Sequence, residues 1–158
     1  NLLKNSRMRN MATQWPESGL TFEVPGVRGK GRPRFTRMGI AYTDKKTVEY
    51  EKLIKSSYLK HTNYISDKSI RMSMYVCFSP NKSDTKKTKA LKLSNAFKPK
   101  KKPDADNVVK VVLDALNKVA YHDDTQVNEI HMIRHYDEHE RLIICLSENG
   151  ELFEVKKS

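Results

Sequence analysis

Hydrophobic and polar residues alternate in several short segments of the chain, a pattern typical of half-buried β-strands. The clearest is residues 70–78, in which large apolar side chains occupy every second position. Similar segments span residues 20–24, 125–134, 141–146 and 151–155. Because a polar turn at residues 137–140 joins two of these segments, we predict that residues 125–134 and 141–146 pair as antiparallel neighbours.

Two other segments repeat their apolar residues every three or four positions, which is the pattern of an amphipathic helix. The first spans residues 44–60, with Asp44 as its predicted N-cap. The second follows Asp106 or Asn107, either of which can cap it, and we expect it to end near Val119. Together the segments predict an α+β domain, in which a mixed sheet carries about two main helices.

A segment rich in glycine, proline and arginine follows the first predicted strand. Phe35 precedes a turn at Gly39 that leads into residues 40–42, and this order predicts a short hairpin. The backbone and guanidinium groups of such a hairpin can lie against DNA phosphates, although a hairpin that only faces solvent is the alternative. The candidate DNA contacts here are Lys30, Arg32, Arg34 and Arg37.

The balance of charges favours an anionic partner. The 158 residues include 30 Lys and Arg against 19 Asp and Glu, which gives a net charge of +11 at pH 7. Nucleic acid is the usual partner of so basic a domain. Residues 81–102 hold nine lysines and one acidic residue, and this segment is either a flexible solvated loop, a DNA-binding surface or both. Its candidate DNA contacts are Lys98, Lys100, Lys101 and Lys102.

The length suits a single domain, which we assign to residues 19–158. Residues 1–18 are polar and lack a pattern, so we expect a poorly ordered extension or vector-derived residues. No apolar run approaches the roughly 20 residues of a membrane span, and no signal peptide is visible. Cys77 and Cys145 lie in strand-like segments, which predicts buried free thiols and a cytoplasmic protein.

Acidic residues gather around the second predicted helix: Asp104, Asp106, Asp114, Asp123 and Asp124. Asp104 and Asp106 point the same way in an extended chain, and Lys110 follows Asp106 by one helical turn. Carboxylates are ligands that Mg²⁺ prefers, and a bound cation can activate water for phosphodiester hydrolysis beside a charge-stabilising lysine. The alternative is that these acids only cap the helix and form a turn.

Three histidines, His131, His135 and His139, recur at intervals of four residues. On a helix they would share one face and could bind zinc together. The alternation of apolar residues around them predicts a strand instead, and this pattern argues against that zinc site.

The acidic segment also resembles a known family. PDADNVVKVVLDAL followed by YHDDTQV is closely similar to the RusA family of Holliday-junction resolvases, which shares the Pro-Asp-x-Asp-Asn and Asp-Asp-x-Gln-Val motifs. GKGRPRFTR and AYTDKKTVEYE, further upstream, resemble the family as well. The resemblance extends over about residues 20–146.

The resemblance implies that Asp104, Asp106 and Asp124 bind the metal and that Lys110 is the catalytic lysine. Asp123 is adjacent and is a further candidate catalytic residue. The resemblance also implies a homodimeric endonuclease that depends on Mg²⁺, with Mn²⁺ as a substitute. Its substrate would be the four-way DNA junction of recombination and repair, in a bacterial, phage or prophage setting.

Two other functions stay open on the sequence alone. One is a non-catalytic basic module that binds DNA, in which case magnesium-dependent cleavage would be absent. The other is a nuclease that prefers other branched DNA or single-stranded DNA. Competition between a four-way junction and a linear duplex distinguishes this second alternative.

Overall fold

The computed structural model describes residues 19–148, so the predicted N-terminal extension and the predicted strand at residues 151–155 lie outside the described residues. The strands are β1 (Leu20–Pro25), β2 (Arg34–Phe35), β3 (Ala41–Tyr42), β4 (Ile70–Phe78), β5 (Val127–Tyr136) and β6 (Arg141–Glu148). The helices are α1 (Lys45–Leu59), α2 (Lys86–Leu93) and α3 (Ala105–Leu116), and a 3₁₀ turn (Asp124–Gln126) precedes β5.

Four strands form one sheet in the order β1, β6, β4, β5. β6 is antiparallel to both β1 and β4, whereas β5 is parallel to β4. This mixed sheet with its helices confirms the predicted α+β class. The predicted pairing of residues 125–134 with 141–146 is wrong, because β4 lies between β5 and β6. The central position suits β4, since eight of its nine residues are buried and both of its edges are paired.

The main hydrophobic core lies between the sheet and helices α1 and α3. β4 contributes its alternate residues, including Met72 and Met74. The amphipathic face of α3 supplies Val108, Val111, Val112, Ala115 and Leu116. Burial of such side chains contributes roughly 1.5–3 kcal/mol each, so α3 is firmly held by its apolar face while its polar face stays outside.

Both predicted main helices are present, with small changes at their ends. Asp44 occupies the N-cap position of α1, but its side chain makes no capping hydrogen bond and instead lies 3.4 Å from Arg34. α3 begins at Ala105, so its N-cap is Asp104 rather than Asp106 or Asn107. It ends at Leu116, before the expected Val119. Within residues 19–148, no helix has the length and apolar character that a membrane span requires.

The basic segment at residues 81–102 is more ordered than a loop, because it contains α2. Thr85 caps this helix by accepting a hydrogen bond from the Thr88 amide, at 3.2 Å. Asp84 and Lys92 form a 2.6 Å ion pair beside it. The interpretation of the whole segment as a flexible loop is therefore wrong for its central part.

The predicted hairpin is confirmed, since β2 and β3 pair antiparallel and Gly39 adopts a φ of 77° at the turn. Its four large apolar side chains are strongly exposed: Phe35 67%, Met38 87%, Ile40 62% and Tyr42 49%. The hairpin therefore projects from the domain rather than packing into the core.

Both cysteines are buried free thiols, as predicted. They belong to a small apolar cluster that is separate from the main core and includes Tyr75 and Ile143. Because residues 75, 77, 143 and 145 alternate with core residues on β4 and β6, this cluster occupies the opposite face of the sheet.

Candidate active site

The start of α3 carries three of the predicted catalytic residues. Asp104 is the N-cap, and Asp106 and Lys110 follow in the first turns of the helix. The Lys110 ammonium lies 3.7 Å from an Asp106 carboxylate oxygen, as the spacing of four residues predicts. All three side chains are at least partly exposed. An exposed pair of this kind adds little to stability, so these groups are available to contact a ligand.

Neighbouring elements fix the start of α3 firmly. The Lys30 amide donates a 2.9 Å hydrogen bond to the Asn107 carbonyl oxygen. A Cβ at Gly29 would lie 2.7 Å from the Pro103 Cβ and 2.9 Å from the Asn107 Cβ, so the close approach requires glycine. On the other side, the Arg134 guanidinium of β5 donates to the Pro103 carbonyl oxygen at 3.1 Å. The loop after β1 and strand β5 together position Asp104.

Asp123 and Asp124 lie in the tight turn before β5. The Asp123 carboxylate accepts a 2.9 Å hydrogen bond from the Thr125 amide, and Gln126 completes a capping box around the 3₁₀ turn. Asp123 thus has a structural role that caps the turn. The hydrogen bonds from Thr125 lower the pKa of Asp123.

Asp124 differs from Asp123 in its electrostatic surroundings. Reduced hydration, the hydrogen bond with Asp123 and the negative charges of Asp123 and Asp114 all raise the pKa of Asp124. Each of these causes disfavours the carboxylate form. A cation bound nearby would instead favour the carboxylate form and lower the pKa of Asp124. This behaviour is expected of a carboxylate in an acidic cluster.

Gln126 holds this turn against the preceding loop. Its side-chain oxygen accepts hydrogen bonds from the amides of His122 and Asp123, at 2.8 and 3.0 Å. Its side-chain nitrogen donates to the carbonyl oxygens of Ser66 and Lys68, both at 2.9 Å. The Gln126 side chain thus accepts two hydrogen bonds and donates two, which restricts movement of the turn. Gln126 therefore positions the segment that carries Asp124.

Lys30 has a different environment from the one predicted. Its ammonium lies 2.5 Å from Glu51 of α1 and 2.9 Å from Asp114 of α3. Burial opposes its charge, but the hydrogen bonds with Glu51 and Asp114 outweigh that effect and raise the pKa of Lys30. Two carboxylates hold this ammonium, so Lys30 links its own loop to α1 and α3.

The other predicted DNA contacts have varied surroundings. Arg32, Arg34 and Arg37 are exposed on and beside the hairpin, as are Lys98 and Lys100 in the segment before α3. Two neighbours of these lysines are engaged within the domain. The Lys102 ammonium lies 2.7 Å from Asp104, and the Lys101 ammonium lies 5.4 Å from the ring centre of Phe78. A basic surface therefore extends up to the start of α3.

The predicted metal ligands come from two separate elements. Asp104 and Asp106 are at the start of α3, whereas Asp124 is in the turn before β5, where it interacts electrostatically with Asp123 and Asp114. The oxygens of Asp104, Asp106 and Asp124 do not all lie within 4.8 Å of one another. Their donor chemistry fits a hard divalent cation.

Sequence reasoning did not assign a site role to Asp114 or Glu51. Asp114 lies eight residues after Asp106, so helical spacing places it on the same side of α3 and gives a usable signal. Glu51 carries no such signal, because its contact with Lys30 joins two segments that are 21 residues apart.

Comparisons with known proteins agree with the motifs. The family described as endodeoxyribonuclease RusA matches residues 25–147, a range that includes all of the candidate catalytic residues. The uncharacterized protein YqaN of Bacillus subtilis (strain 168) is 32% identical over 100 residues, which cover 63% of this chain and 70% of that protein. The family match confirms the resemblance seen in the sequence motifs. The chain therefore belongs to the RusA endodeoxyribonuclease family.

Proposed function

We propose that this chain is a divalent-cation-dependent endonuclease that resolves four-way DNA junctions as a homodimer, in DNA recombination and repair. The observation that carries the proposal is the exposed start of α3, where Asp104, Asp106 and Lys110 stand side by side next to a basic surface. Acids beside lysines and arginines suit a site at which a cation and a phosphate meet.

Asp104 and Asp106 would hold the cation together with Asp124, with Mg²⁺ as the expected ion and Mn²⁺ as a substitute. When bound, such an ion supplies Lewis-acid stabilisation and an activated water for attack on phosphorus. The residues of the chain orient this chemistry. Asp106 holds the Lys110 ammonium at 3.7 Å, so that Lys110 can approach the phosphate and stabilise charge as the leaving oxygen departs.

The exposed arginines and lysines would hold the DNA backbone. Arg32, Arg34 and Arg37 project with the hairpin, while Lys98 and Lys100 precede the acidic site. Contacts with phosphates fix the position of the DNA without reading its bases, which suits an enzyme that selects a branched shape. Lys30 is better assigned to positioning α3, because Glu51 and Asp114 already bind its ammonium.

A homodimer would serve this reaction in two ways. Resolution of a four-way junction takes two cuts in strands related by approximate two-fold symmetry, and twofold dimers are the commonest oligomers. In addition, the oxygens of Asp104, Asp106 and Asp124 do not all lie within 4.8 Å of one another in one chain. A second copy could bring its own Asp124 to the start of α3 and complete the ligand set.

The deciding experiment is cleavage of a synthetic four-way junction with and without Mg²⁺, in competition with a linear duplex of the same arm sequence. The wild type should make paired cuts in the junction, whereas Asp106→Asn should bind the junction without cutting it. Glu49→Gln, which removes one exposed acid from α1, should cut normally.

The outcomes also separate the alternatives. Binding without any metal-dependent cleavage would identify a non-catalytic DNA-binding module. Equal cleavage of the junction and of single-stranded or other branched DNA would identify a nuclease of broader preference. Normal cleavage by Asp106→Asn would remove the start of α3 from the active site.

A further inference from the structure

A second group of potential ligands lies away from the acidic site. Cys77 of β4 and His135 of β5 are direct neighbours in the parallel strand pair, so their side chains stand side by side on one face of the sheet. Asp137 follows two residues after His135, directly beyond β5. The Cys77 Sγ and His135 Nε2 atoms are 3.7 Å apart. One ligand atom from each of the three residues lies within 4.8 Å of the others, an arrangement found nowhere else among residues 19–148.

These three polar groups are buried, with exposed fractions of 0% for Cys77, 3% for His135 and 7% for Asp137. Burial of polar groups is costly unless each has a partner. Nevertheless, the Nδ1 atom of His135 has no hydrogen-bond partner within the described part of the chain. A histidine placed against a thiol, with its hydrogen bonds incomplete, calls for a further explanation.

The spacing of these atoms suits a tetrahedral metal site. Zinc binds sulfur at about 2.3 Å and nitrogen at about 2.0–2.1 Å, and tetrahedral angles then place the two ligand atoms about 3.6 Å apart. The observed 3.7 Å between Sγ and Nε2 matches this edge. Two strands of a regular sheet hold Cys77 and His135, so the spacing is fixed before any ion binds.

The carboxylate of Asp137 is already oriented by its neighbours. Its Oδ1 atom accepts a 2.6 Å hydrogen bond from the Glu138 amide, and its Oδ2 atom lies 3.2 Å from the Arg141 guanidinium. Ligating carboxylates are commonly supported by outer hydrogen bonds of this kind.

We propose that Cys77, His135 and Asp137 form a binding site for a borderline-soft divalent cation of the zinc type. Three protein ligands leave the fourth position of a tetrahedral ion to water. A thiol and an imidazole select such an ion over Mg²⁺, which prefers oxygen. The site thus differs in chemistry from the carboxylates at the start of α3. A bound ion would also link β5 to β4 near the ends of the two strands.

Two of the three proposed ligands are anionic when the ion is bound. Cys77 loses its thiol proton to solvent as its sulfur bonds to the ion, so a thiolate and the Asp137 carboxylate together neutralise two positive charges. Arg141 and Lys98 add positive charge nearby, but Arg141 also lies 3.1 Å from Glu23. A thiol binds the ion only after it loses its proton, so ion binding should strengthen with rising pH.

Cobalt(II) is a suitable probe, because a cobalt–thiolate bond gives an intense charge-transfer absorption. The full chain is treated with a chelator, freed of it, and titrated with Co²⁺. We expect absorption that saturates at one ion per chain, is removed by Zn²⁺ and survives excess Mg²⁺. Cys77→Ser should abolish it, whereas Cys145→Ser is the matched control, because it removes the other buried thiol from the same face and should keep it.

A second measurement does not depend on Cys77→Ser. Zn²⁺ should raise the Tm of the wild type, since an ion that binds only the folded chain stabilises it. Asp137→Asn should bind Zn²⁺ at least about tenfold more weakly, because it loses one anionic ligand. Glu49→Gln, at an exposed acid outside both sites, should bind it unchanged. No thiolate absorption in the wild type, or absorption that Cys145→Ser abolishes while Cys77→Ser keeps it, would overturn the proposal.

Discussion

The ammonium of Lys30, in the loop after β1, lies 2.9 Å from the carboxylate of Asp114 on α3. The same ammonium contacts Glu51 on α1 at 2.5 Å, so one cation joins the basic loop to both main helices. The backbone amide of Lys30 also donates to Asn107 in the first turn of α3. This residue therefore fixes the position of the start of α3, which carries the candidate catalytic residues, relative to the basic hairpin.

Replacement of Lys30 by methionine tests this positioning role. Lys30→Met leaves Glu51 and Asp114 without their shared cation, and we expect the free energy of unfolding to fall by about 1.5–3 kcal/mol, as for hydrogen bonds to charged groups. Denaturant titration measures the change. The salt dependence of junction binding should stay near that of the wild type, because Glu51 and Asp114 already bind the Lys30 ammonium. A clearly flatter salt dependence would indicate that Lys30 contacts DNA phosphates.

Replacement of the exposed arginines, in contrast to Lys30→Met, should change DNA binding and not stability. Arg32→Gln combined with Arg37→Gln should leave stability nearly unchanged, but it should lower the slope of log affinity against log salt concentration by about 2, because two phosphate contacts are lost. Binding to a labelled junction over a range of salt concentrations measures the slope. Lys60→Gln, at the far end of α1, is the control and should leave the slope unchanged.

The helices and the acidic residues were predictable because their signals are local. The apolar repeat that includes the buried Val112 and Leu116 is visible in the sequence, and the spacing of Asp106 and Lys110 depends only on helix geometry. The resemblance to the RusA family then pointed to the same residues. For the candidate residues within α3, the local pattern and the family motif therefore indicate the same positions.

The sheet order and the contacts of Lys30 were not predictable from the sequence, because neither depends on a local signal. Nothing between residues 125 and 146 indicates that β4, which is about 50 residues upstream, separates β5 from β6. Likewise, the contact of Lys30 with Glu51 and Asp114 joins three elements that are distant in sequence. Pairing of this kind depends on which strand buries the most apolar surface, and that comparison involves the whole chain.

Lys110 should affect the rate of cleavage far more than the affinity for DNA. Lys110→Ala removes one exposed cation among many, so junction binding should weaken less than about threefold. The rate of cleavage should fall by about 10²–10³, as for loss of a charge-stabilising donor in a transition state. Single-turnover kinetics with saturating enzyme separates the two effects. An equal loss of rate and affinity would identify Lys110 as a binding residue only.

Gln126 should support catalysis without touching DNA. Gln126→Glu keeps the oxygen that accepts from His122 and Asp123 but loses the two hydrogen bonds donated to Ser66 and Lys68. We expect a slower cleavage rate at unchanged junction affinity, together with a lower Tm. Rate and binding are measured on the same junction. A normal rate with a lower Tm would show that the turn tolerates movement and that Gln126 contributes to stability alone.

The oxygens of Asp104, Asp106 and Asp124 do not all lie within 4.8 Å of one another in one chain, which leads to a test of the proposed dimer. Asp104→Asn and Asp124→Asn should each abolish cleavage on their own. If the partner copy supplies Asp124, a mixed dimer of the two variants contains one site with both substitutions and one site with neither. Mixing the inactive variants under conditions that exchange subunits should then restore nicking of one strand.

The matched control is a mixture of Asp104→Asn with Asp106→Asn, whose mixed dimers carry one substitution in each site and should stay inactive. Light scattering should show a dimer of twice 18.3 kDa for every variant. Recovery in neither mixture, from proteins that are dimeric and exchange subunits, would mean that each chain assembles its own ligands when DNA or the cation binds. A monomer that still cuts both strands would remove the dimer from the mechanism and leave two successive nicks.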